Sequence, residues 1–434
     1  MKILSITAGA AGMYCGSCFR DNALAAELTA QGHDVTLIPV YTPTLTDEDN
    51  VSRPDVLFGG ISVYLQQQSA LFRKLPRAFD RLLDSPRVIN AFAGRGVSAD
   101  AATLGDLTIS MLEGERGVLR KEFDKLIDWT RDEPRPDVIN LPNSLLVSMA
   151  APLRKAFGRP VCCTLQGEEL FLDGLPAAYR DRALTMMREQ VPTVDRFIAV
   201  SEYCADFMSS LLRIPHARMA VVPLGISMKG YTTRERPLPS RPNAFRVGYF
   251  ARIAPEKGLQ QLAEAYVRLR RRMGDATAML DVAGYMAPNY RPYLDEARGT
   301  LERAGFASEF VYRGAIDRAA KLEFMRGLDV LSVPATYDEP KGMFLLEAMA
   351  AGVPVVQPRR GAFIEVVEKT RGGLLVECDD PDALAGGLYT LWSDPSLADR
   401  LGAAAYDGVR AHYTVAQSAS RLLDVYGALE SKAA

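Results

Sequence analysis

The sequence predicts an α/β protein of two doubly wound, Rossmann-like domains, on three observations. Short apolar segments with strand character alternate with helical patterns along the chain, as in parallel-sheet proteins. Many of these segments are apolar without alternation, which is typical of strands buried on both faces. Residues 234–243 contain three prolines, lack periodicity and separate two sets of strands. We therefore expect an N-terminal domain over 1–225, a linker over 226–243 and a C-terminal domain over 244–412.

Each domain contributes a set of short strand candidates bounded by turn residues. In the N-terminal domain they are residues 2–7, 34–40, 137–141, 160–165, 196–200 and 219–223. In the C-terminal domain they are residues 245–250, 278–283, 309–313, 329–333, 353–357 and 373–377. Sheets of this kind bind ligands at the carboxyl ends of their strands, so two facing domains predict a binding site in an inter-domain cleft.

Residues from about 42 to 135 interrupt this rhythm with a helix-rich segment, which we interpret as a helical insertion in the N-terminal domain. Helices that line the cleft are one interpretation, and plain packing helices over the sheet are the other. Arg73, Arg77 and Arg81 recur at helical spacing on one face. We expect this segment to contribute to recognition of an anionic or hydroxyl-rich acceptor molecule through those arginines, unless the arginines simply face water.

The composition limits the classes of partner. A formal net charge of -2 over 434 residues gives no sign of a nucleic-acid-binding protein. No apolar run reaches the ~20 residues that a membrane-spanning helix needs, and the first strand is too short for a signal peptide. The sequence therefore predicts a cytoplasmic enzyme. A basic run on a predicted helix is either a solvated face or a patch for peripheral contact with an anionic membrane or acceptor; it comprises Arg268, Arg270, Arg271 and Arg272.

Glu339 and Glu347 are the most informative pair of residues. Pro340 and Gly342 do not belong in a helix interior, whereas residues 343–350 are good helix formers, so a helix is predicted to begin at or just after Gly342. Glu347 then lies about one turn into that helix, and its side chain leans back toward the helix start. Two carboxylates therefore flank a helix N-terminus that favours an anion. Carboxylates bind sugar hydroxyls and free N–H groups bind phosphate, and a sugar nucleotide presents both.

Each domain opens with a strand that leads into a candidate phosphate-binding loop. Gly12 and Gly16 lie at the first strand-to-helix turn, where glycine lets backbone approach a ligand, although an ordinary turn has the same composition. Arg252 and Lys257 follow the first strand of the C-terminal domain. Two fixed cations at that place can neutralise a leaving diphosphate, a task that a metal ion fulfils in other enzymes.

Candidate metal and redox sites are weak. Asp47 and Asp49 form a DxD pattern in a polar loop, which we interpret as a solvated turn. Cys15 and Cys18 form a CxxC, but no second pair stands at zinc-ligand spacing, so reduced cysteines packed in a tight loop are the preferred interpretation. We expect no metal ion and no cofactor besides a donor substrate.

The chain resembles the retaining glycosyltransferases of family 4, which have the GT-B fold, over nearly its full length apart from the helical insertion. Glu339 and Glu347 match the E-x7-E motif of that family, and Arg252 with Lys257 matches its basic pair. Further matches occur in the same order at Val222-Pro223-Leu224-Gly225, Val282-Ala283-Gly284, Gly314, Pro334, the segment from Glu347 to Pro354, and Gly361 with Glu365.

The resemblance implies a donor site built mainly by the C-terminal domain. It implies that Glu347 binds the nucleotide ribose, that Glu339 binds the donor sugar, and that Arg252 and Lys257 hold the diphosphate. Backbone groups are implied to complete the site, at Gly342, Met343 and Phe344 and, facing them from the N-terminal domain, at Gly12 and Gly16. Finally, it implies that a C-terminal helix, about residues 416–429 within the segment 413–434, crosses back to the N-terminal domain.

The sequence departs from the family at Gln166, where members often carry a histidine before a glycine. Glutamine does not act as an acid or base at neutral pH. Either the histidine is dispensable, or Gln166 only orients the sugar. Gln166 and Glu168 are therefore candidates for contact with the sugar or the acceptor.

Together these features predict an enzyme that transfers a sugar from a UDP-, GDP- or ADP-sugar to an unidentified acceptor hydroxyl, with retention of the anomeric configuration. One alternative is a catalytically weak GT-B protein that binds a nucleotide sugar or serves as a scaffold. A less favoured alternative is a glycoside hydrolase with Glu339 and Glu347 as acid and nucleophile, since a hydrolase has no need of the phosphate-binding features.

Overall fold

The computed structural model of the chain describes residues 1–9, 16–69, 72, 101–231 and 244–433. Several predicted features lie outside these residues, namely Gly12, Cys15, Arg73, Arg77, Arg81 and the linker after residue 231. The chain divides into two compact units. Unit 1 comprises Met1–Pro223 and Ser418–Ala434, and unit 2 comprises Leu224–Gln417.

Unit 1 is built on a parallel sheet of strands β1 (Lys2–Thr7), β2 (Asp34–Pro39), β3 (Val138–Leu141), β4 (Val161–Leu165), β5 (Arg196–Ala199) and β6 (Met219–Val221). The strand order is β2-β1-β3-β4-β5-β6. Ile3 of β1 pairs with Val35 on one side and with Val138 on the other. The order therefore reverses between β1 and β3, and the carboxyl ends of these strands define the switch point of this sheet.

The described helices of unit 1 are α1 (Gly16–Ala30), α2 (Gly60–Gln68), α3 (Ala101–Glu113), α4 (Arg120–Asp132), α5 (Ala150–Phe157), α6 (Glu169–Asp173), α7 (Ala177–Gln190) and α8 (Glu202–Leu212). Apolar side chains of the helices and strands form one core, which includes Ile6, Phe123, Leu141 and Leu165. Helices α2, α3 and α4 fall within the predicted helical insertion. A buried hydrogen bond of 2.5 Å from the Gln66 amide to Glu122 joins α2 to α4.

Unit 2 repeats the architecture with strands β7 (Ala244–Phe250), β8 (Thr277–Ala283), β9 (Phe310–Tyr312), β10 (Val330–Leu331), β11 (Val355–Pro358) and β12 (Gly373–Val376). All are parallel, in the order β12-β11-β10-β7-β8-β9. This is the Rossmann order, and its switch point lies between β7 and β10. The loops that follow these two strands are therefore the expected place for a ligand.

The described helices of unit 2 are α9 (Leu259–Met273), α10 (Arg291–Arg303), α11 (Arg318–Arg326), α12 (Met343–Ala350), α13 (Ala362–Thr370), α14 (Pro381–Ser393) and α15 (Pro395–His412). A last helix, α16 (Val415–Ala433), begins in unit 2 and continues in unit 1. Within unit 1, the Ser418 hydroxyl donates to the Pro223 carbonyl at 2.6 Å, and Tyr426 is fully buried. The helix therefore contributes to the core of the N-terminal unit.

The predicted α/β class and all twelve predicted strands are present, and most strand ends differ from the predicted ones by one or two residues. Strand β10 is the most shortened, because the chain leaves the sheet before Pro334, which has no N–H to donate. Residues 226–231, which we predicted as linker, pack in unit 2. The N–H of Ile226 donates to Tyr413 at 2.9 Å, and its carbonyl accepts from Val415 at 2.9 Å.

Candidate active site

Two loops meet at the switch point of the unit 2 sheet. The loop after β7 ends in a 3-10 turn over Pro255–Lys257, followed by Gly258 with φ of +73°. A Cβ atom on Gly258 would lie 1.9 Å from the carbonyl oxygen of Pro334, which begins the loop after β10. Glycine alone permits that approach. The backbone N–H of Thr336 also donates to the carbonyl of Glu256 at 3.0 Å, so the two loops are joined directly.

Helix α12 begins where the sequence predicts, directly after Gly342. This glycine has φ of +67°, a left-handed conformation that glycine adopts without strain. The first N–H groups of a helix, here those of Met343 and Phe344, have no intrahelical acceptor and can bind an anion. The ring of Phe344 packs edge-on against Phe363, with centroids 5.8 Å apart, which fixes this helix start against α13.

Glu339 lies in the loop before α12 and is only 3% exposed. Its Oε2 atom accepts from the Lys257 ammonium and from the Tyr337 hydroxyl, the latter at 2.5 Å. Burial by itself raises the pKa of this carboxyl, but the charge of Lys257 and the hydrogen bonds from Lys257 and Tyr337 outweigh it and lower the pKa to about 2. Glu339 is therefore a permanent anion at neutral pH.

Lys257 is held from several sides. Its Nζ atom donates to the Tyr337 hydroxyl at 2.6 Å and to Glu339. The ammonium also lies 4.8 Å from the centroid of the Tyr337 ring and 5.8 Å from that of Phe344, a cation–π arrangement. An ammonium has three N–H donors, and two acceptors are engaged within the described part of the chain. The ammonium therefore has a third donor that a ligand oxygen can use.

Tyr337 was not singled out from the sequence, although it completes this cluster. Its hydroxyl accepts from Lys257 and donates to Glu339, so one side chain orients both charged groups. A tyrosine two residues before Glu339 was visible in the sequence. Its function depends on the close approach of the two loops, which local sequence does not encode.

Glu347 is paired with a residue that the sequence analysis also missed. The ammonium of Lys321, in α11, donates to Glu347 Oε1 at 2.6 Å. Glu347 is 7% exposed and Lys321 3% exposed, so this is a buried ion pair. Lys321 shares one face of its helix with Phe324 and Met325, both buried. A lysine at helical spacing from apolar residues is a signal that could have identified it.

Arg252 lies at the rim of the site. Its guanidinium is 43% exposed and donates to Glu256 Oε1 at 2.6 Å, one helical turn along the chain. Among the described residues its guanidinium pairs with Glu256 and not with the Lys257 cluster, so the role of Arg252 at the diphosphate stays a prediction. Its long side chain leaves it free to reorient toward an anion.

In unit 1, Gly16 is the first residue of α1 and is exposed. Glu168, after β4, is buried and accepts from the Ser144 N–H at 2.8 Å, the Ser144 hydroxyl at 3.1 Å and the Gln166 N–H at 2.8 Å. The amide of Gln166 donates to the Pro142 carbonyl at 2.8 Å. Glu168 thus joins the loops that follow β3 and β4.

Neither a metal cluster nor a membrane helix is found among the described residues. Within them, no group of three or more histidine, cysteine, aspartate or glutamate side chains is placed to hold a metal ion. No helix in these ranges is long and apolar enough to cross a membrane. Cys18 is buried and forms no disulfide with another described residue. Asp49 lies in a loop fixed through its backbone carbonyl, which accepts from Asn22 at 2.9 Å.

Comparison with known families matches both halves of the chain. The model described as "Glycosyl transferase 4-like domain" matches residues 22–225, and the model described as "Glycosyl transferases group 1" matches residues 232–408. The second match contains the whole Lys257–Tyr337–Glu339 cluster and the Lys321–Glu347 pair.

Individual relatives and solved structures are also similar to this chain. The GDP-mannose-dependent alpha-(1-6)-phosphatidylinositol monomannoside mannosyltransferase of Mycobacterium tuberculosis is 28% identical over 295 residues, which are 64% of this chain and 72% of the relative. Phosphatidyl-myo-inositol mannosyltransferase of the same species is 34% identical over 176 residues, 40% of this chain and 44% of the relative. Sucrose-phosphate synthase of Thermosynechococcus elongatus superposes with a TM-score of 0.69 at 18% identity and covers 100% of both chains, which is a likeness of fold.

Proposed function

Since the chain belongs to the glycosyltransferases of family 4 with the GT-B fold, we propose that it transfers mannose from GDP-mannose to an acceptor hydroxyl with retention of configuration. The observation that carries the proposal is the Lys257–Tyr337–Glu339 cluster beside the N-terminus of α12. The choice of GDP-mannose is supported by the relative from Mycobacterium tuberculosis whose name specifies that donor.

In this proposal Lys257 binds the departing diphosphate. Its third N–H donor and the first N–H groups of α12 present positive charge to the leaving group, which develops negative charge in the transition state. Arg252 reorients from the rim to assist. Because these groups supply the countercharge, the reaction proceeds without a divalent metal ion.

Glu347 binds the ribose hydroxyls, and the contact of 2.6 Å from the Lys321 ammonium orients its carboxylate. A carboxylate with one oxygen in an ion pair retains lone pairs for hydroxyl donors. Glu339 contacts the donor sugar through Oε1, which accepts only long hydrogen bonds from the N–H groups of Lys341 at 3.3 Å and Gly342 at 3.5 Å, whereas Lys257 and Tyr337 engage Oε2.

Retention follows from attack of the acceptor on the face that the diphosphate leaves. A leaving phosphate oxygen accepts the acceptor proton, so no strong protein base is needed. Two candidates for such a base are unsuited to it: Glu339 has a pKa of about 2, and Gln166 does not titrate.

The same pKa argues against a glycoside hydrolase. A hydrolase acid must be protonated near neutral pH, which requires a raised pKa, whereas that of Glu339 is lowered to about 2. A scaffold protein without catalysis would keep the same cluster, so only an assay separates it from an enzyme.

The test uses the full chain with GDP-mannose, UDP-glucose and ADP-glucose as separate donors, with and without phosphatidylinositol in mixed micelles as a candidate acceptor. Nucleoside diphosphate release and proton NMR of the anomeric product are measured. The proposal predicts acceptor-dependent release of GDP and an α-mannoside. The absence of acceptor-dependent nucleoside diphosphate release from all three donors would favour the scaffold alternative. An inverted product would contradict retention.

A further inference from the structure

Arg360 and Asp379 form an ion pair at the carboxyl edge of the unit 2 sheet, outside the contacts of the candidate active site. Arg360 follows β11 and Asp379 follows β12. The guanidinium donates two hydrogen bonds to the carboxylate, from Nη2 to Oδ2 at 2.5 Å and from Nη1 to Oδ1 at 3.4 Å. The Arg360 side chain is only 13% exposed, so the pair is shielded on one side.

The backbone of Asp379 has a φ of +56°. Glycine adopts this left-handed conformation without strain, and aspartate adopts it more readily than most other residues but still at some cost. The two hydrogen bonds from Arg360 to the Asp379 carboxylate help to hold it there.

Arg360 also reaches the loop that carries the active-site cluster. Its Nη1 donates to the Ala335 carbonyl at 3.2 Å, and its Nε lies 3.9 Å from an Asp338 carboxylate oxygen. Two residues later along the chain, the Ala362 N–H donates to the Glu339 carbonyl at 2.8 Å. Residues 335–339 are thus held at both ends by the segment 360–362.

We propose that Arg360 and Asp379 are a positioning pair, which sets the loop 335–339 so that Tyr337 and Glu339 meet Lys257. Neither residue touches the reacting atoms. The pair acts through Ala335 and Asp338. Its expected effect on turnover rests on the function proposed above, whereas its expected effect on the position of the loop is independent of that function.

The adjacent Arg359 provides a matched control. It pairs with Glu368 at 3.2 Å, and both side chains are more than half exposed. Exposed ion pairs of this kind contribute little to stability, and this one has no contact with the loop 335–339. Arg359→Ala therefore removes the same side chain one residue away.

Four variants of the full chain are compared with the wild type: Arg360→Ala, Arg360→Lys, Asp379→Gly and Arg359→Ala. Asp379→Gly is the sharpest, because it removes the carboxylate and relieves the backbone strain at once. Hydrogen–deuterium exchange is followed for the amides of residues 336–342. Thermal unfolding is recorded in parallel, and kcat and donor KM are measured with GDP-mannose.

We expect the exchange of these amides to accelerate about tenfold or more in Arg360→Ala and Asp379→Gly, less in Arg360→Lys, and not at all in Arg359→Ala. Misplacement of the cluster should lower kcat between about 10- and 100-fold in Arg360→Ala and Asp379→Gly, with donor KM changed far less. Asp379→Gly should lose that rate with an unchanged or higher Tm, which a purely stabilising ion pair does not predict.

Unchanged exchange and kcat in Asp379→Gly would overturn the proposal, as would an equal loss in Arg359→Ala. If Arg360→Ala does not fold, Asp379→Gly and Arg360→Lys decide the matter. A wild type that does not turn over GDP-mannose would contradict the proposed donor, and the exchange measurement would still test the pair.

Discussion

Glu168 in unit 1 and Glu339 in unit 2 are both buried carboxylates in loops that follow parallel strands, yet their partners differ. Glu168 accepts from the backbone N–H groups of Ser144 and Gln166 and from the Ser144 hydroxyl. Glu339 also accepts from backbone, since its Oε1 lies 3.3 Å from the Lys341 N–H and 3.5 Å from the Gly342 N–H. Its Oε2 accepts in addition from two side chains, the ammonium of Lys257 and the hydroxyl of Tyr337. Backbone donors fix two loops to each other, whereas an ammonium keeps a further donor for a ligand. We therefore expect Glu168 to serve the structure of unit 1 and Glu339 to serve binding, and both expectations are tested below.

The largest expected effect concerns Lys257 and Arg252. Lys257→Ala should lower kcat/KM about 100-fold, and the exposed Arg252 should cost about 10-fold on replacement by Ala, since a charge-assisted contact contributes ~1.5–3 kcal/mol. The double variant should lose nearly all turnover. Steady-state kinetics with each variant measures this.

Arg359→Ala serves as the control here too, because the ion pair of Arg359 with Glu368 is more than half exposed on both sides. A double variant at Lys257 and Arg252 that kept near wild-type rate with a native circular dichroism spectrum would contradict their role at the diphosphate.

Tyr337→Phe should have a smaller effect. It keeps the ring beside Lys257 and removes the hydroxyl that accepts from Lys257 and donates to Glu339. We expect kcat to fall about 10-fold or more, because hydrogen bonds to two charged groups are lost while Lys257 and Glu339 still pair with each other. Tyr312→Phe is the control, since its hydroxyl donates to a backbone carbonyl, that of Gly284, at 2.9 Å. Equal kinetics for the two variants would mean that the Tyr337 hydroxyl has no part in catalysis and that the side chain serves only in packing.

These predictions rest on two kinds of information. The apolar strand segments, the glycine at Gly342 and the E-x7-E spacing lie within short stretches of chain, so the sequence predicted the twelve strands, the start of α12 and the candidate residues Lys257, Glu339 and Glu347. Tyr337 and Lys321 acquire their partners only when separate loops and helices fold together. The exposed position of Arg252 and the closed hydrogen bonding of Glu168 are likewise tertiary facts, which local patterns do not carry.

Glu168→Gln tests the structural role that we expect for Glu168. The new amide places an NH₂ donor against the N–H groups of Ser144 and Gln166, and an unsatisfied buried group costs about 1–3 kcal/mol. We expect a lower Tm by calorimetry, and a GDP affinity within about twofold of the wild type, since the proposed contacts to GDP belong to unit 2 and Glu168 belongs to unit 1. Weakened GDP binding at unchanged Tm would mean that Glu168 serves the donor.

The last expected effect is absent at neutral pH and is seen only in acid. The pKa of Glu339 is lowered from 4.5 to about 2, chiefly because the charge of Lys257 outweighs the effect of burial. A lowered folded-state pKa gives stability that is complete above about pH 4.5 and is lost as the pH falls toward 2. Urea unfolding at pH 6, 4 and 3 should show this loss, on the order of 3 kcal/mol at most. Glu339→Gln should flatten that dependence, and an unaltered slope in the variant would contradict the ion pair.

The most direct test of the central claim is calorimetric titration of GDP into the wild type and Lys257→Ala, both in excess EDTA. The claim is that Lys257 and the start of α12 carry the diphosphate without a metal ion. It predicts that GDP binds the wild type in EDTA and that Lys257→Ala weakens this binding about tenfold or more. Binding that requires magnesium or manganese would contradict the claim and return attention to Asp47 and Asp49. Equal GDP affinity in the wild type and Lys257→Ala would contradict the role of Lys257.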